Sequence, residues 1–116
     1  MAIKSEERIQ QECYNWFWNT YPNLRGLLFH VPNGGARSIQ EGKMFKKIGV
    51  VAGVSDLIFL YKGNAYLFEL KNEIGRQSEK QLAWQSKVTQ QGFYYYIIRD
   101  LEKFKKEINL IIKNNV

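Results

Sequence analysis

Two acidic side chains and a lysine stand at the ends of a predicted β-hairpin, where they could do chemistry. The stretch SDLIFLYKGNAYLFELKN, residues 55–72, holds two apolar runs around a Lys-Gly-Asn turn. Asp56 opens the first run, and Glu69 and Lys71 close the second. Alternate residues of a strand share a face, so Glu69 and Lys71 lie together. A two-residue turn at Gly63-Asn64 would place Asp56 opposite Lys71 and diagonal to Glu69 on that face.

The chemistry of this group depends on the turn. A three-residue loop would oppose Asp56 to Leu70 and move it to the other face, unless a bulge restored it. With the shorter turn, the two carboxylates repel each other and raise each other's pKa. A divalent cation would relieve that repulsion, and oxygen ligands without a cysteine or histidine cluster favour Mg²⁺ or Mn²⁺.

A metal at this position would polarise a phosphate and lower the pKa of a bound water. Lys71 on the same face would position or deprotonate that water, so the group suits hydrolysis of a phosphodiester. A surface ladder of ion pairs, worth about 0–1 kcal/mol, explains the same three residues equally well without any chemistry.

The composition is that of a basic globular domain. The 116 residues, 45% of them hydrophobic, predict one domain over residues 1–116. Seventeen Lys and Arg against eleven Asp and Glu give a net charge of +6, which favours a polyanionic partner or simply a soluble basic domain. The single cysteine, Cys13, excludes an intrachain disulfide and fits a reducing cytoplasm. We expect neither a membrane span nor a signal peptide.

The elements around the hairpin predict an α/β fold. Helices are predicted over residues 5–19, 38–48, 79–90 and 100–113, and strands over 27–32, 56–61, 65–71 and 93–98. Ser78 and Gln81 have the spacing of a capping box that opens the third helix. The strand 65–71 is apolar on both faces for most of its length, which predicts a covered, central strand. The order of elements predicts a mixed sheet flanked by helices.

The wider context resembles the PD-(D/E)XK nuclease motif and, more specifically, a VRR-NUC domain. The segments that carry the resemblance follow in order: Gly53 to Leu57, Glu69 to Lys71, Gly75-Arg76-Gln77-Ser78, Gln81 with Trp84, Gly92, and residues 93–98. The NGG loop at 33–35 and the Glu-rich first helix extend it over nearly the whole chain. Ser55 departs from the pattern, since the family usually has a proline there that shapes the backbone and ligates nothing.

The resemblance implies a restriction-endonuclease-like fold with an αβββαβ core and metal-dependent DNA cleavage. By carry-over, Asp56 and Glu69 bind Mg²⁺ or Mn²⁺ together with the carbonyl oxygen of Leu70, and Lys71 handles the attacking water. Family members made of this domain alone are similar to Holliday-junction resolvases, which implies a homodimer acting on branched DNA. A phage or a mobile element is a compatible source.

The family also places an acid on the first helix, and the helix offers three glutamates. Helical geometry puts Glu6 inside the predicted buried arc, Glu12 at its edge and Glu7 on the opposite side. An acid inside an apolar arc needs a partner, so we choose Glu6, with Glu12 second. A favourable interaction with the helix dipole explains Glu6 about as well.

Further residues are candidates for the site or for contact with DNA. Gln81 is explained equally by the capping box and by a place near the catalytic strand. His30 is either a structural hydrogen-bonding residue or a support for the site. Asn33, in the NGG loop, belongs either to a plain turn or to a loop whose backbone N–H groups approach phosphate. The cationic candidates for contact with the DNA backbone are Arg37, Lys46, Lys47 and Arg76.

Two other classes of function stay open at this point. A non-catalytic nucleic-acid-binding module would keep the fold and the basic charge, but would have no use for an intact Asp, Glu and Lys. An assembly subunit would use aromatic residues such as Tyr14 and Trp18, which lie away from the buried arc of the first helix, at an interface.

Overall fold

The computed structural model describes residues 2–32 and 39–115, with only the backbone described for residues 39 and 40. The helices are α1 Glu6–Thr20, α2 Ile39–Lys47, α3 Glu79–Gln90 and α4 Leu101–Asn114. The strands are β1 Leu28–His30, β2 Leu57–Tyr61, β3 Asn64–Leu70 and β4 Tyr94–Ile98. A short 3₁₀ helix, Pro22–Leu24, follows α1. The candidate DNA contacts Asn33 and Arg37 lie outside the described residues.

The four strands form one mixed sheet in the order β1-β2-β3-β4. The β1–β2 and β2–β3 pairs are antiparallel, and the β3–β4 pair is parallel, joined through α3. The predicted α/β class and the order of its core elements are confirmed. The prediction of a covered central strand is also confirmed, because β3 has neighbours on both sides and is buried from Tyr66 to Leu70.

The predicted turn of the β2–β3 hairpin is wrong by one residue. Tyr61 pairs with Asn64, so the turn residues are Lys62 and Gly63 rather than Gly63-Asn64. Their φ angles of 49° and 83° are both positive, as a type I′ turn requires. One step beyond the last ladder pair, this register sets Asp56 opposite Glu69 and not opposite Lys71. Since the register moves by two residues, the face predicted for Asp56 is retained.

Helices α1 and α4 cover one face of the sheet. The ring of Phe17 from α1 packs against Phe59 at 5.3 Å, and Phe104 from α4 packs against Phe68 at 5.2 Å, both edge to face. The predicted arc of α1 is buried at Ile9, Cys13 and Phe17, whereas Trp16 is half-buried. This face holds most of the apolar core, which fixes the sheet beneath the site.

Helix α3 lies on the opposite face. The ring of its Trp84 contacts Tyr95 of β4 at 6.2 Å. No residue of α3 is fully buried, and Leu82 is 51% exposed. The face under α3 is the one that carries Glu69, so this helix covers the polar end of the sheet. Within the described ranges, no helix is both long enough and apolar enough to cross a membrane.

Candidate active site

Asp56 is fixed at the entrance to β2 by hydrogen bonds from both sides. Its Oδ2 accepts from the backbone N–H of Leu70 at 2.8 Å. Its carbonyl oxygen accepts from the N–H of Val31 at 2.9 Å and from Nδ1 of His30 at 2.7 Å. Because a carbonyl only accepts, Nδ1 of His30 carries the proton, and this histidine supports the backbone of Asp56.

Glu69 and Lys71 lie at the end of β3 and are almost completely buried, with 1% and 7% of their surface exposed. Nζ of Lys71 is 3.9 Å from Oε2 of Glu69. Burial and the neighbouring charge of Asp56 raise the pKa of Glu69 to about 8, against the opposing effect of Lys71. A ladder of solvated ion pairs does not describe this group, because its two central members are shielded from water.

Gln81 fills both of its predicted roles with one side chain. Its Nε2 donates to Oε2 of Glu69 at 3.0 Å. Its Oε1 accepts from the backbone N–H of Ser78 at 2.8 Å, while Oγ of Ser78 accepts from the N–H of Gln81 at 3.2 Å. The capping box at the start of α3 therefore also orients the carboxyl group of Glu69.

Of the first-helix acids, the structure brings Glu6 to this group. A Cβ atom added at Gly75 would lie 2.7 Å from Oε2 of Glu6 and 3.5 Å from Cδ of Lys71, so these two side chains converge beside Gly75. The charge of Glu6 also contributes to the raised pKa of Glu69. Glu12 instead pairs with Lys4 at 3.0 Å and more weakly with Arg8 at 3.5 Å, away from the hairpin.

An open cleft of about 950 Å³ lies beside Asp56, between α1 and the start of α3. Asp56, Leu70, Gln81 and Glu6 are among the residues that line it, and Lys80 adds a cation. Glu69 and Lys71 are not among the described residues that line it. The cleft therefore gives a polar substrate direct access to the carboxylate of Asp56.

The segment that precedes Asp56 can pack closely against α3 because it contains a glycine, Gly53. Gly53 has a φ of +87°, and a Cβ at this position would come within 2.4 Å of the carbonyl oxygen of Lys80 and 2.9 Å of the backbone nitrogen of Gln81. Only glycine permits both this backbone conformation and this close approach. Gly53 thus sets the distance between the strand that carries Asp56 and the helix that carries Gln81.

The donor atoms fit a hard divalent cation. No group of three or more His, Cys, Asp and Glu side chains in the described part of the chain is arranged to hold a metal. The two neighbouring carboxyl groups are those of Asp56 and Glu69, and the resemblance in sequence adds the carbonyl oxygen of Leu70. Oxygen ligands of this kind, completed by water, are those that Mg²⁺ and Mn²⁺ prefer. A cation would also balance the two adjacent acidic groups.

The predicted cationic contacts lie outside the cleft. Lys46 and Lys47 are exposed in the last turn of α2, and Arg76 is exposed in the loop before α3. Among the described residues that line the cleft, none of these three appears, whereas Lys80 does.

Tyr95 is a residue of the site that sequence reasoning missed. Its hydroxyl lies 3.5 Å from Oε1 of Glu69 and accepts a hydrogen bond from Nε2 of Gln77 at 3.2 Å. Gln77 also donates to Oε1 of Gln85 at 2.8 Å, so α3 and β4 share a polar chain that leads to Glu69. The alternation of faces along FYYYIIR could have indicated Tyr95. It places Tyr95 beside Glu69 only once the parallel pairing of Leu67 with Tyr95 is known.

Comparison with solved structures identifies the class of fold. A structure described as "VRR_NUC domain protein" matches with a TM-score of 0.80, over 97% of this chain and 92% of that chain, at 21% sequence identity. This chain therefore has the fold of that protein, as the resemblance in sequence predicted. No family model and no curated protein matches the sequence. The Holliday-junction resolvase subtype stays a prediction.

Proposed function

We propose that this chain is a metal-dependent DNA endonuclease. The observation that carries the proposal is the convergence of Asp56, Glu69 and Lys71 at one end of the sheet, with Glu69 and Lys71 almost fully buried and Asp56 lining an open cleft. Burying a carboxyl group beside a second acid costs stability, so such a group marks a candidate functional site. Metal-dependent phosphodiester hydrolysis would use all three groups.

We propose that Mg²⁺ or Mn²⁺ would be held by Asp56, Glu69 and the carbonyl oxygen of Leu70. The bound cation would polarise the phosphate and lower the pKa of a water. The chain's own contribution is orientation. The N–H of Leu70 fixes one oxygen of Asp56, and Nε2 of Gln81 fixes one oxygen of Glu69. Geometry held this firmly favours reaction, because no reorganisation is needed when charge develops.

We propose that Lys71 orients the attacking water or, in its neutral amine form, accepts a proton from it. The side-chain nitrogen of Lys71 is shielded from solvent and lies 3.9 Å from Oε2 of Glu69, so it faces this carboxyl group rather than bulk water. Glu6 converges on the same lysine from α1, beside Gly75. We assign Glu6 and Gln81 to supporting roles around the catalytic strand.

For the substrate we propose DNA, with a preference for branched forms such as Holliday junctions, and a homodimer as the acting species. The net charge of +6 supports a polyanionic partner. The likeness of fold supports the class of chemistry, and the resemblance in sequence supports the branched substrate. Asn33, Arg37, Lys46, Lys47 and Arg76 are the proposed contacts with the DNA backbone. A cytoplasmic location fits the single cysteine.

The test is cleavage of a labelled four-way junction, a linear duplex and a flap, each with Mg²⁺, Mn²⁺ or EDTA. The chain and Glu69→Gln are compared on all three. We expect metal-dependent cutting by the natural sequence, fastest on branched DNA and lost in the variant. Binding without cutting under either metal would reject the endonuclease and leave a non-catalytic nucleic-acid-binding module.

A further inference from the structure

We propose that the cleft beside Asp56 seats the base of an unpaired nucleotide, next to the phosphate that is cut. This inference rests on the proposed nuclease function and narrows its substrate to DNA with unpaired nucleotides. Its starting point is the lining of the cleft away from the carboxylates. Among the described residues, that part is formed by aromatic, amide and carboxylate side chains rather than by cations.

Two aromatic rings line the cleft. Phe29 of β1 is 37% exposed, on the face of the sheet that also carries Asp56, and Tyr14 of α1 is half-buried. Both belong to the same cleft as Asp56 and Leu70. Aromatic rings that stay partly open to solvent next to a phosphate-cleaving site suit stacking against a base, since every base offers a flat π face.

The charges along α1 indicate which part of a nucleotide would lie against the α1 side of the cleft, called the wall below. Glu6, Glu7, Gln10 and Gln11 line the cleft, and the same stretch of wall contributes no lysine or arginine. Carboxylates repel a phosphate but accept hydrogen bonds from the edges of bases, whereas amides both donate to those edges and accept from them. Lys80 lines the cleft from α3 instead. A nucleotide would therefore turn its base towards α1 and its phosphate towards Lys80.

Tyr14 is supported in its position by neighbours outside the cleft. Its ring stacks on Trp18 with 6.2 Å between centroids and 29° between planes. The guanidinium of Arg25 lies 4.5 Å from the centre of the Trp18 ring, and Nε of Arg25 donates to the carbonyl of Trp18 at 2.9 Å. A ring held in this way loses little freedom when a base stacks on it.

The dimensions of the cleft agree with this occupant. Its volume of about 950 Å³ falls within the range of sites that enclose small organic ligands. A base inside a continuous duplex cannot reach such a wall without leaving its stack. Flaps, single-stranded ends and junctions with an unpaired nucleotide at the crossover offer that base at the lowest cost.

The experiment measures binding without cleavage, in the Glu69→Gln background with EDTA. The probe is a flap that carries 2-aminopurine at the unpaired nucleotide beside the branch, and a fully paired duplex with the same base is the comparison. Tyr14→Leu and Phe29→Leu test the two rings. Phe93→Leu is the matched control, because Phe93 is 42% exposed and does not line the cleft.

When the protein is added, we expect the fluorescence of 2-aminopurine to fall in the flap. In the duplex, the fluorescence should not change. Tyr14→Leu and Phe29→Leu should each weaken flap binding by about fivefold or more and reduce the quenching, whereas Phe93→Leu should change neither. Circular dichroism confirms that each variant folds. Phe29→Leu keeps the test valid if Tyr14→Leu disturbs the packing of Trp18.

Two outcomes separate this inference from the nuclease proposal. Quenching that depends on both rings, in a chain that never cuts DNA, would support the base site and reject the nuclease. Metal-dependent cleavage together with unquenched 2-aminopurine, or with unchanged binding by both ring variants, would overturn the base site and leave the nuclease in place.

Discussion

Nε2 of Gln81 donates to Oε2 of Glu69 at 3.0 Å, and the same side chain completes the cap of α3 through Ser78. The start of a surface helix is thereby joined to a buried carboxyl group on the central strand. This link predicts that two changes with similar effects on the helix will differ in their effects on catalysis.

Replacing Gln81 with alanine should reduce both stability and activity. Loss of a capping interaction lowers the free energy of unfolding by about 1 kcal/mol. Loss of the bond to Glu69 should lower the cleavage rate by about tenfold or more, as for other residues that orient a metal ligand. Ser78→Ala is the matched control, since it removes the hydroxyl of the cap and keeps the Gln81–Glu69 bond. Equal losses of activity in the two variants would contradict a positioning role.

Metal binding should be visible as thermal stabilisation that depends on Glu69. At ten times the dissociation constant, Mg²⁺ or Mn²⁺ should add about 1.4 kcal/mol to the free energy of unfolding, or about 5 °C to the Tm. Glu69→Gln should melt higher than the natural chain in EDTA, because it removes a buried acidic group beside Asp56, and should gain nothing from metal. A variant that gains as much as the natural chain would place the metal elsewhere.

The two glutamates considered for the first helix should behave differently. Glu6→Gln should slow cleavage, because Glu6 converges on Lys71 beside Gly75. Glu12→Gln should leave the rate unchanged, since it only breaks exposed pairs with Lys4 and Arg8, at a cost of about 0–1 kcal/mol. Initial rates on one labelled substrate settle the comparison. A slower Glu12→Gln beside an unaffected Glu6→Gln would reverse the assignment.

Gly53→Ala should damage the site through the backbone. Gly26 has a similar φ of +92° with nothing near its missing Cβ, so Gly26→Ala isolates the cost of the left-handed conformation, about 1–2 kcal/mol. Gly53→Ala adds a collision with the carbonyl of Lys80, which should cost a further 1–3 kcal/mol or so. It should also slow cleavage by moving Asp56 away from Gln81. Urea denaturation measures the free energy of unfolding of both variants. Equal losses in Gly53→Ala and Gly26→Ala would show that α3 moves away from the added Cβ at little cost.

Much of this architecture could be predicted because each strand carries its own apolar pattern, and Ser5 and Ser78 mark the starts of α1 and α3. The hairpin register could not be predicted, because Lys62 adopts a left-handed conformation at φ 49° and a lysine does not indicate a positive φ. The error changed the residue opposite Asp56 but not its face, because the side-chain period of a strand is two. Tyr95 was missed for a different reason. Its place beside Glu69 depends on parallel pairing between strands separated by α3, which no local pattern encodes.

The central claim is that Asp56 and Glu69 hold the metal that cleavage requires. Its most direct test is the rate at which the chain, Asp56→Asn and Glu73→Gln convert a labelled branched DNA to product in Mg²⁺ and in EDTA. Glu73 is exposed and close in sequence to Glu69, so its variant controls for the loss of one negative charge. We expect cutting in Mg²⁺ by the natural chain and by Glu73→Gln, and none by Asp56→Asn. Undiminished cutting by Asp56→Asn, or cutting that persists in EDTA, would contradict it.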